Sequence, residues 1–154
     1  DFETEKIKED IFQCEIPTTW EKTNFSQIDG QIIFTIKDGV LKSSSVSNIS
    51  LIANKTDSNA PSVSEAEAQI KKQLESNFKD NVSDITFEEI EAPCGKVCVA
   101  KYKLNVNNKN MNLTLYYPLV DKYLVTITCT DVGDDISPKP DKVAKHIVNT
   151  LKLK

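Results

Sequence analysis

Four cysteines, one histidine and two groups of carboxylates hold most of the reactive chemistry available to this 154-residue chain. Cys94 and Cys98 form a C-x-x-x-C spacing, one residue longer than the C-x-x-C of thiol oxidoreductases and zinc knuckles, so it matches either use weakly. Cys14, Cys98 and Cys129 fall on the apolar faces of strand-like stretches, where a thiol behaves as a small hydrophobe. Cys94 lies between Pro93 and Gly95 in a turn and is expected to be more exposed. An even number of cysteines also admits one or two disulfides, with three pairings open.

The single histidine, His146, lies about 130° from the centre of the apolar stripe of a terminal helix and is expected to face solvent. A Cys-His nucleophile needs both groups within hydrogen-bond reach, and nothing in the spacing brings a cysteine to it. Asp131, Asp134 and Asp135 could offer oxygens to calcium, but they lack the alternating ligands and distal glutamate of an EF-hand, and a solvated loop is the simpler reading. Glu88, Glu89 and Glu91 crowd one short strand without the flanking geometry of a catalytic carboxylate pair. With four glycines the chain has no glycine-rich phosphate cradle. No catalytic residue, cofactor or resident metal is expected.

The elements that position these groups are legible from periodicity. Phe12, Cys14 and Ile16 alternate with polar residues as in a half-buried strand that stops at Pro17, with Trp20 three residues later. Further strands are predicted at 31–37 and 46–54, joined through an Asp38-Gly39 hairpin signal, with Ser43 to Ser45 as a bulge or loop. After the loop 56–62, two capping-box patterns (Ser62 with Glu65, Ser64 with Glu67) open a helix whose stripe is Val63, Ala66, Ile70, Leu74 and Phe78. Strands follow at 84–91 and 96–106, the second with Cys98, Ala100, Tyr102, Leu104 and Val106 on one face. Asn107 to Asn110 turns the chain, strands at 111–119 and 122–130 complete a meander, and a last helix starts near Pro140, where proline's missing donor does no harm. Short turns imply antiparallel pairing, and two one-sided helices imply a sheet covered by helices, an α+β architecture in one domain over 11–154. Residues 1–10, dense in charge and without strand alternation, read as a polar N-terminal tether.

Composition narrows the partners. The chain is 39% hydrophobic and 27% charged, and no apolar run approaches the roughly 18 to 20 residues of a membrane span. All 19 basic residues are lysine, the net charge is −4 and the pI is near 5.1. A nucleic-acid partner, which needs a basic stripe and favours arginine, is therefore not expected. Five glycosylation sequons, at Asn24, Asn48, Asn54, Asn81 and Asn112, follow from richness in Asn, Ser and Thr more simply than from glycosylation. The chain begins at Asp1 without an initiator methionine, so something upstream is expected to have been removed, either by processing of a secreted or lipid-anchored precursor or by simple truncation, and the two look identical in the sequence.

A first strand ending in Ile16-Pro17 followed by Trp20, then "GQIIFTIKDG", resembles the start of the PsbP-like superfamily (PsbP, Mog and DcrB proteins, and bacterial secreted lipoproteins). The resemblance continues through "SEAEAQIKKQLESNF", "LYYPLVDKYLVTITCT" and the last helix ending in Leu-Lys, covering 11–152. It implies an α/β/α sandwich around an antiparallel sheet of about six to seven strands. It also implies a non-enzymatic binding or assembly module outside the cytoplasm, secreted or membrane-anchored, with a protein partner at the cell envelope. Trp20 on this reading covers an end of the core, the alternative being a surface contact. Two other functions are kept open: a thiol redox or cysteine-dependent enzyme using Cys94 and Cys98, and weak calcium binding at Asp131 to Asp135.

Overall fold

A computed structural model describes residues 2–23, 28–37, 47–133 and 135–154. The strands in chain order are β1 (Thr4–Lys8), β2 (Phe12–Pro17), β3 (Trp20–Thr23), β4 (Gln31–Ile36) and β5 (Asn48–Lys55). Helix α1 (Val63–Phe78) and a single 3-10 turn (Lys79–Asn81) lead into β6 (Val82–Ala92), β7 (Gly95–Val106), β8 (Lys109–Pro118) and β9 (Tyr123–Asp131). Helix α2 (Pro140–Thr150) and a two-residue strand, β10 (Lys152–Leu153), end the chain.

Seven strands form one antiparallel sheet in the order β3-β4-β5-β9-β8-β7-β6, and β1, β2 and β10 form a small second sheet. The expected α+β sandwich with six to seven central strands is present. Successive side chains on a strand point to opposite faces, and β7 shows the consequence. Val97 and Val99 enter a core with Phe34, Leu51, Tyr116, Ile127 and the α2 residues Val143 and Ile147. Cys98 and Ala100, one step along, enter a separate core with Ala66, Ile70 and Leu74 of α1. One helix covers each face of the sheet, α2 toward the β5–β9 half together with β2, and α1 toward the β6–β7 half.

Helix α1 starts where the first capping box puts it. The Glu65 amide donates to Ser62 Oγ and the Ser62 amide donates to Glu65 Oε1, which satisfies two of the donors a helix N-terminus leaves unpaired. Helix α2 begins with Pro140 as expected, and its first-turn Asp141 accepts a 2.6 Å hydrogen bond from the hydroxyl of Tyr116 on β8.

Four local expectations are corrected. Residues 4–8 are not an unstructured tether: they pair along β2, with Lys6 opposite Glu15 and Ile7 opposite Cys14. Only Ile7 of that strand is apolar and packed on the core, so backbone pairing, not side-chain alternation, carries it. Strands β3 and β10 were not foreseen, being four and two residues long. The β7–β8 turn is tighter than 107–110, because Asn107 and Asn108 both take positive φ (54° and 64°), the two-residue type I′ hairpin that asparagine tolerates. Val106, expected on the buried face, is exposed, as the last residue of β7 beside the Asn107–Asn108 turn. The Asp38-Gly39 hairpin and Ser43 to Ser45 lie outside the described residues.

Candidate functional site

Adjacent residues of β2 show how the fold sorts the chemistry. Phe12, Cys14 and Ile16 point into the core, so Gln13 and Glu15 point away from it. Glu15, on β2, meets two other elements at once. Its Oε1 lies 3.3 Å from His146 Nε2 on α2 and accepts a 3.0 Å hydrogen bond from Thr4 Oγ1 on β1. Its amide donates to Thr150 Oγ1, which in turn donates to the His146 carbonyl oxygen. The ring of Phe2 stands edge-on to the imidazole with centroids 5.2 Å apart.

His146 is therefore not a freely solvated helix residue: its side chain is 30% exposed, and it ties α2 to the small sheet. No sequence periodicity links Glu15 to a residue 131 positions away, so this cluster was invisible before folding. A carboxylate holding an imidazole is half of a general-base arrangement, and the hydroxyls beside it, those of Thr4 and Thr150, donate to Glu15 Oε1 and to the His146 carbonyl oxygen and not to the ring. Cys14, the residue next to Glu15, faces the opposite side of the strand, in the core. His146 lines a shallow cavity of about 330 Å³ together with Phe2, Lys142, Lys145 and Asn149.

Hydrogen bonds from His146 and then Thr4, with a smaller contribution from Lys6, hold the Glu15 carboxyl below its ordinary 4.5. A depressed carboxyl contributes stability that is complete above its unfolded value and lost as pH falls through the folded one. Glu15→Gln is accordingly expected to lose less stability than the wild type on acidification below pH 4.5, measured as urea midpoints across that range. Parallel pH profiles for the two proteins would remove Glu15 from the acid response.

All four cysteines are free thiols, without the disulfides that their even number admitted. Cys94 packs at the border of the α2 core and Cys98 lies inside the α1 core, so the C-x-x-x-C spacing spreads its two thiols across the sheet. Burial pushes Cys14 and Cys129 up to about 12 and Cys98 up to about 11, each helped by nearby carboxylates, and burial raises Cys94 as well. Reactive thiols require the reverse shift. A thiol-disulfide indicator added at pH 8 is expected to label at most Cys94 in the native protein and all four thiols after unreduced unfolding. Fewer than four in the unfolded sample would demonstrate a bridge.

The other sequence candidates separate. Trp20 is 0% exposed, a core residue with no surface to offer as a contact. It opens β3 opposite Ile36, and pairing turns its ring inward with Phe34 and Ile36. Asp131 accepts a hydrogen bond from the Gly133 amide, a local turn contact, while Asp134 lies outside the described residues. Among the described residues no three His, Cys, Asp or Glu side chains converge as metal ligands. Glu88 and Glu89 face Lys101 and Lys96 of the neighbouring strand at 3.7 Å, exposed ion pairs of small energetic weight. No described helix is long and apolar enough to cross a membrane.

No protein-family model matches the chain, and no curated protein matches it. Solved structures do. The solution structure of cyanobacterial PsbP (CyanoP) from Synechocystis sp. aligns with a TM-score of 0.65 at 10% identity, covering 98% of this chain and 92% of that one. A crystal structure from Bacteroides thetaiotaomicron aligns with a TM-score of 0.60 at 17% identity, covering 93% of this chain. This chain spans 45% of the length of that Bacteroides protein. Sequence identity this low speaks to architecture alone, and on that architecture the chain has a PsbP-like fold.

Proposed function

We propose that this chain is a non-enzymatic binding or assembly module acting outside the cytoplasm, secreted or carried on a membrane anchor, with a protein of the cell envelope as its partner. The single observation that carries the reading is the likeness to cyanobacterial PsbP over nearly the whole of both chains. The site chemistry agrees with it. Glu15 and His146 are spent on joining elements, the thiols are buried and raised, and Glu88, Glu89 and Asp131 pair with lysines or a backbone donor. A thiol redox alternative would have to use Cys94, at the border of one core, and Cys98, inside the other.

The test is cross-linking capture with the intact chain as bait against the envelope fraction of its source organism. The expected result is one saturable protein partner, competed by free bait. Absence of any saturable partner sinks the reading. A rise in Tm with calcium would instead favour the loop at Asp131 to Asp135 as a cation site, since a ligand that binds only the native state stabilises it.

A further inference from the structure

The turn between β1 and β2 and the start of β4 enclose a notch of about 240 Å³. Its floor is apolar: Ile11 and Phe12 on one side, Ile32 and Ala53 on the other. Its rim carries the carboxylates of Glu9 and Asp10. The volume falls below the roughly 300 Å³ at which pockets for small-molecule ligands begin, and it suits one inserted side chain.

Both walls are held by hydrogen bonds. On the first, the Glu9 amide donates to the Phe12 carbonyl at 2.8 Å, the Lys154 amide donates to the Ile11 carbonyl at 2.7 Å, and Lys154 Nζ donates to the Glu9 carbonyl at 2.9 Å. On the second, the Ala53 amide donates to the Gly30 carbonyl at 3.0 Å and Gln31 Nε2 donates to Ser50 Oγ at 2.7 Å. Gly30, with φ of 78°, sits so close that a Cβ there would lie 2.7 Å from the Ala53 carbonyl oxygen. Walls fixed in advance need no ordering when a partner arrives, which lowers the entropic cost of association.

The rim selects the occupant. The Glu9 carboxylate already holds Lys22 at 2.7 Å. Asp10 is exposed and makes no hydrogen bond or ion pair among the described residues. An apolar floor under an uncompensated carboxylate matches a side chain with an aliphatic stem and a cationic head. Arginine fits better than lysine, because its planar fork can meet both oxygens of one carboxylate and its head is weakly hydrated. This chain has no arginine of its own and carries a net charge of −4, so complementarity points to a basic partner surface and not to a second copy.

We propose that the notch receives an exposed arginine side chain of the protein partner, its stem over Ile11, Phe12 and Ile32 and its guanidinium at the Asp10 carboxylate. The proposal rests on the binding-module reading above and names the point of contact. Arginine inserted in a preformed pocket is also a common carrier of interface energy.

The test is a titration of the intact, isotope-labelled chain with N-acetyl-arginine amide, alongside N-acetyl-citrulline amide, a neutral probe of nearly the same shape. Saturating amide shifts at Glu9 to Phe12 and Gly30 to Ile32 are expected with the arginine probe. Asp10→Asn is expected to weaken that binding at least about threefold, the effect of an exposed ion pair, and the citrulline probe to bind correspondingly worse. Shifts that never saturate, or equal affinity for the two probes, or indifference to Asp10→Asn, would overturn the proposal. Repeating the envelope capture with Asp10→Asn bait separates the two claims. A partner retained undiminished leaves the binding module standing and removes the notch, whereas no partner with either bait removes the module itself.

Discussion

Trp20→Ala is expected to cost about 3 to 5 kcal/mol of folding stability, the range for emptying a large buried aromatic site. Trp20 is the largest side chain in the protein with no solvent exposure, and it stands at the start of β3, an outer strand only four residues long. So short a strand has few ladder bonds, and its place in the sheet depends on what that ring packs against. The stability of a domain this size is about 5 to 15 kcal/mol in all, so the variant should be partly unfolded at modest urea. Trp20→Phe is expected to behave differently. The indole Nε1 is buried with no hydrogen-bond partner among the described residues, and an unpaired buried donor carries a desolvation cost of about 1 to 3 kcal/mol. Phenylalanine removes that cost while leaving a smaller void, so the two effects oppose each other and the net loss should stay below about 2 kcal/mol. Circular dichroism against urea is the appropriate readout, because both variants lose the only tryptophan and with it the native fluorescence. Equal losses for Trp20→Ala and Trp20→Phe would show that the donor is in fact satisfied, so that phenylalanine forfeits a hydrogen bond instead of removing a cost.

Ile147→Ala should be comparably severe, about 2 to 5 kcal/mol, because Ile147 is fully buried between α2 and the sheet. Its counterpart on the opposite face is Ile70 of α1, 4% exposed and part of the other core. The two cores share no buried residue, since alternate residues of β7 and β8 feed one or the other. Stacked layers lie about 10 Å from a sheet on either side, which separates the two isoleucines by more than the reach of ordinary coupling. The milder pair Ile147→Val and Ile70→Val, about 0.5 to 1.5 kcal/mol each, should therefore add to within about 0.5 kcal/mol in the double variant. A coupling larger than that would mean the sheet transmits packing strain from one face to the other.

The regular elements were readable before folding because their pattern is local. Ser62 and Glu65 announce the start of α1, Ala66, Ile70 and Leu74 its buried stripe, and the alternation in β7, β8 and β9 their strands. Where strands are held by backbone pairing instead of apolar alternation, as at β1 and β10, the side chains give no such sign. Trp20 illustrates the limit. Its type and its place after Pro17 raise the right question, yet only pairing with Ile36 decides that its ring turns inward. His146 was misplaced for a related reason. Helical geometry puts it off the apolar stripe, and the residues that cover it, Glu15 and Phe2, come from more than 130 positions away.

Sequence alone determined the class of this protein: an antiparallel sheet with two one-sided helices, thiols placed on apolar faces, and a charge balance unsuited to nucleic acid. Those properties follow from periods of two and 3.6 residues and from composition, which short stretches of chain already contain. Tertiary structure alone decided which side chains meet. It separated Cys94 from Cys98 across the sheet, joined Glu15 to His146, and set the Glu9–Asp10 turn against Gly30 to form the notch. Contacts of that kind depend on strand order and register, and nothing in the local pattern encodes which distant strand or helix will become a neighbour.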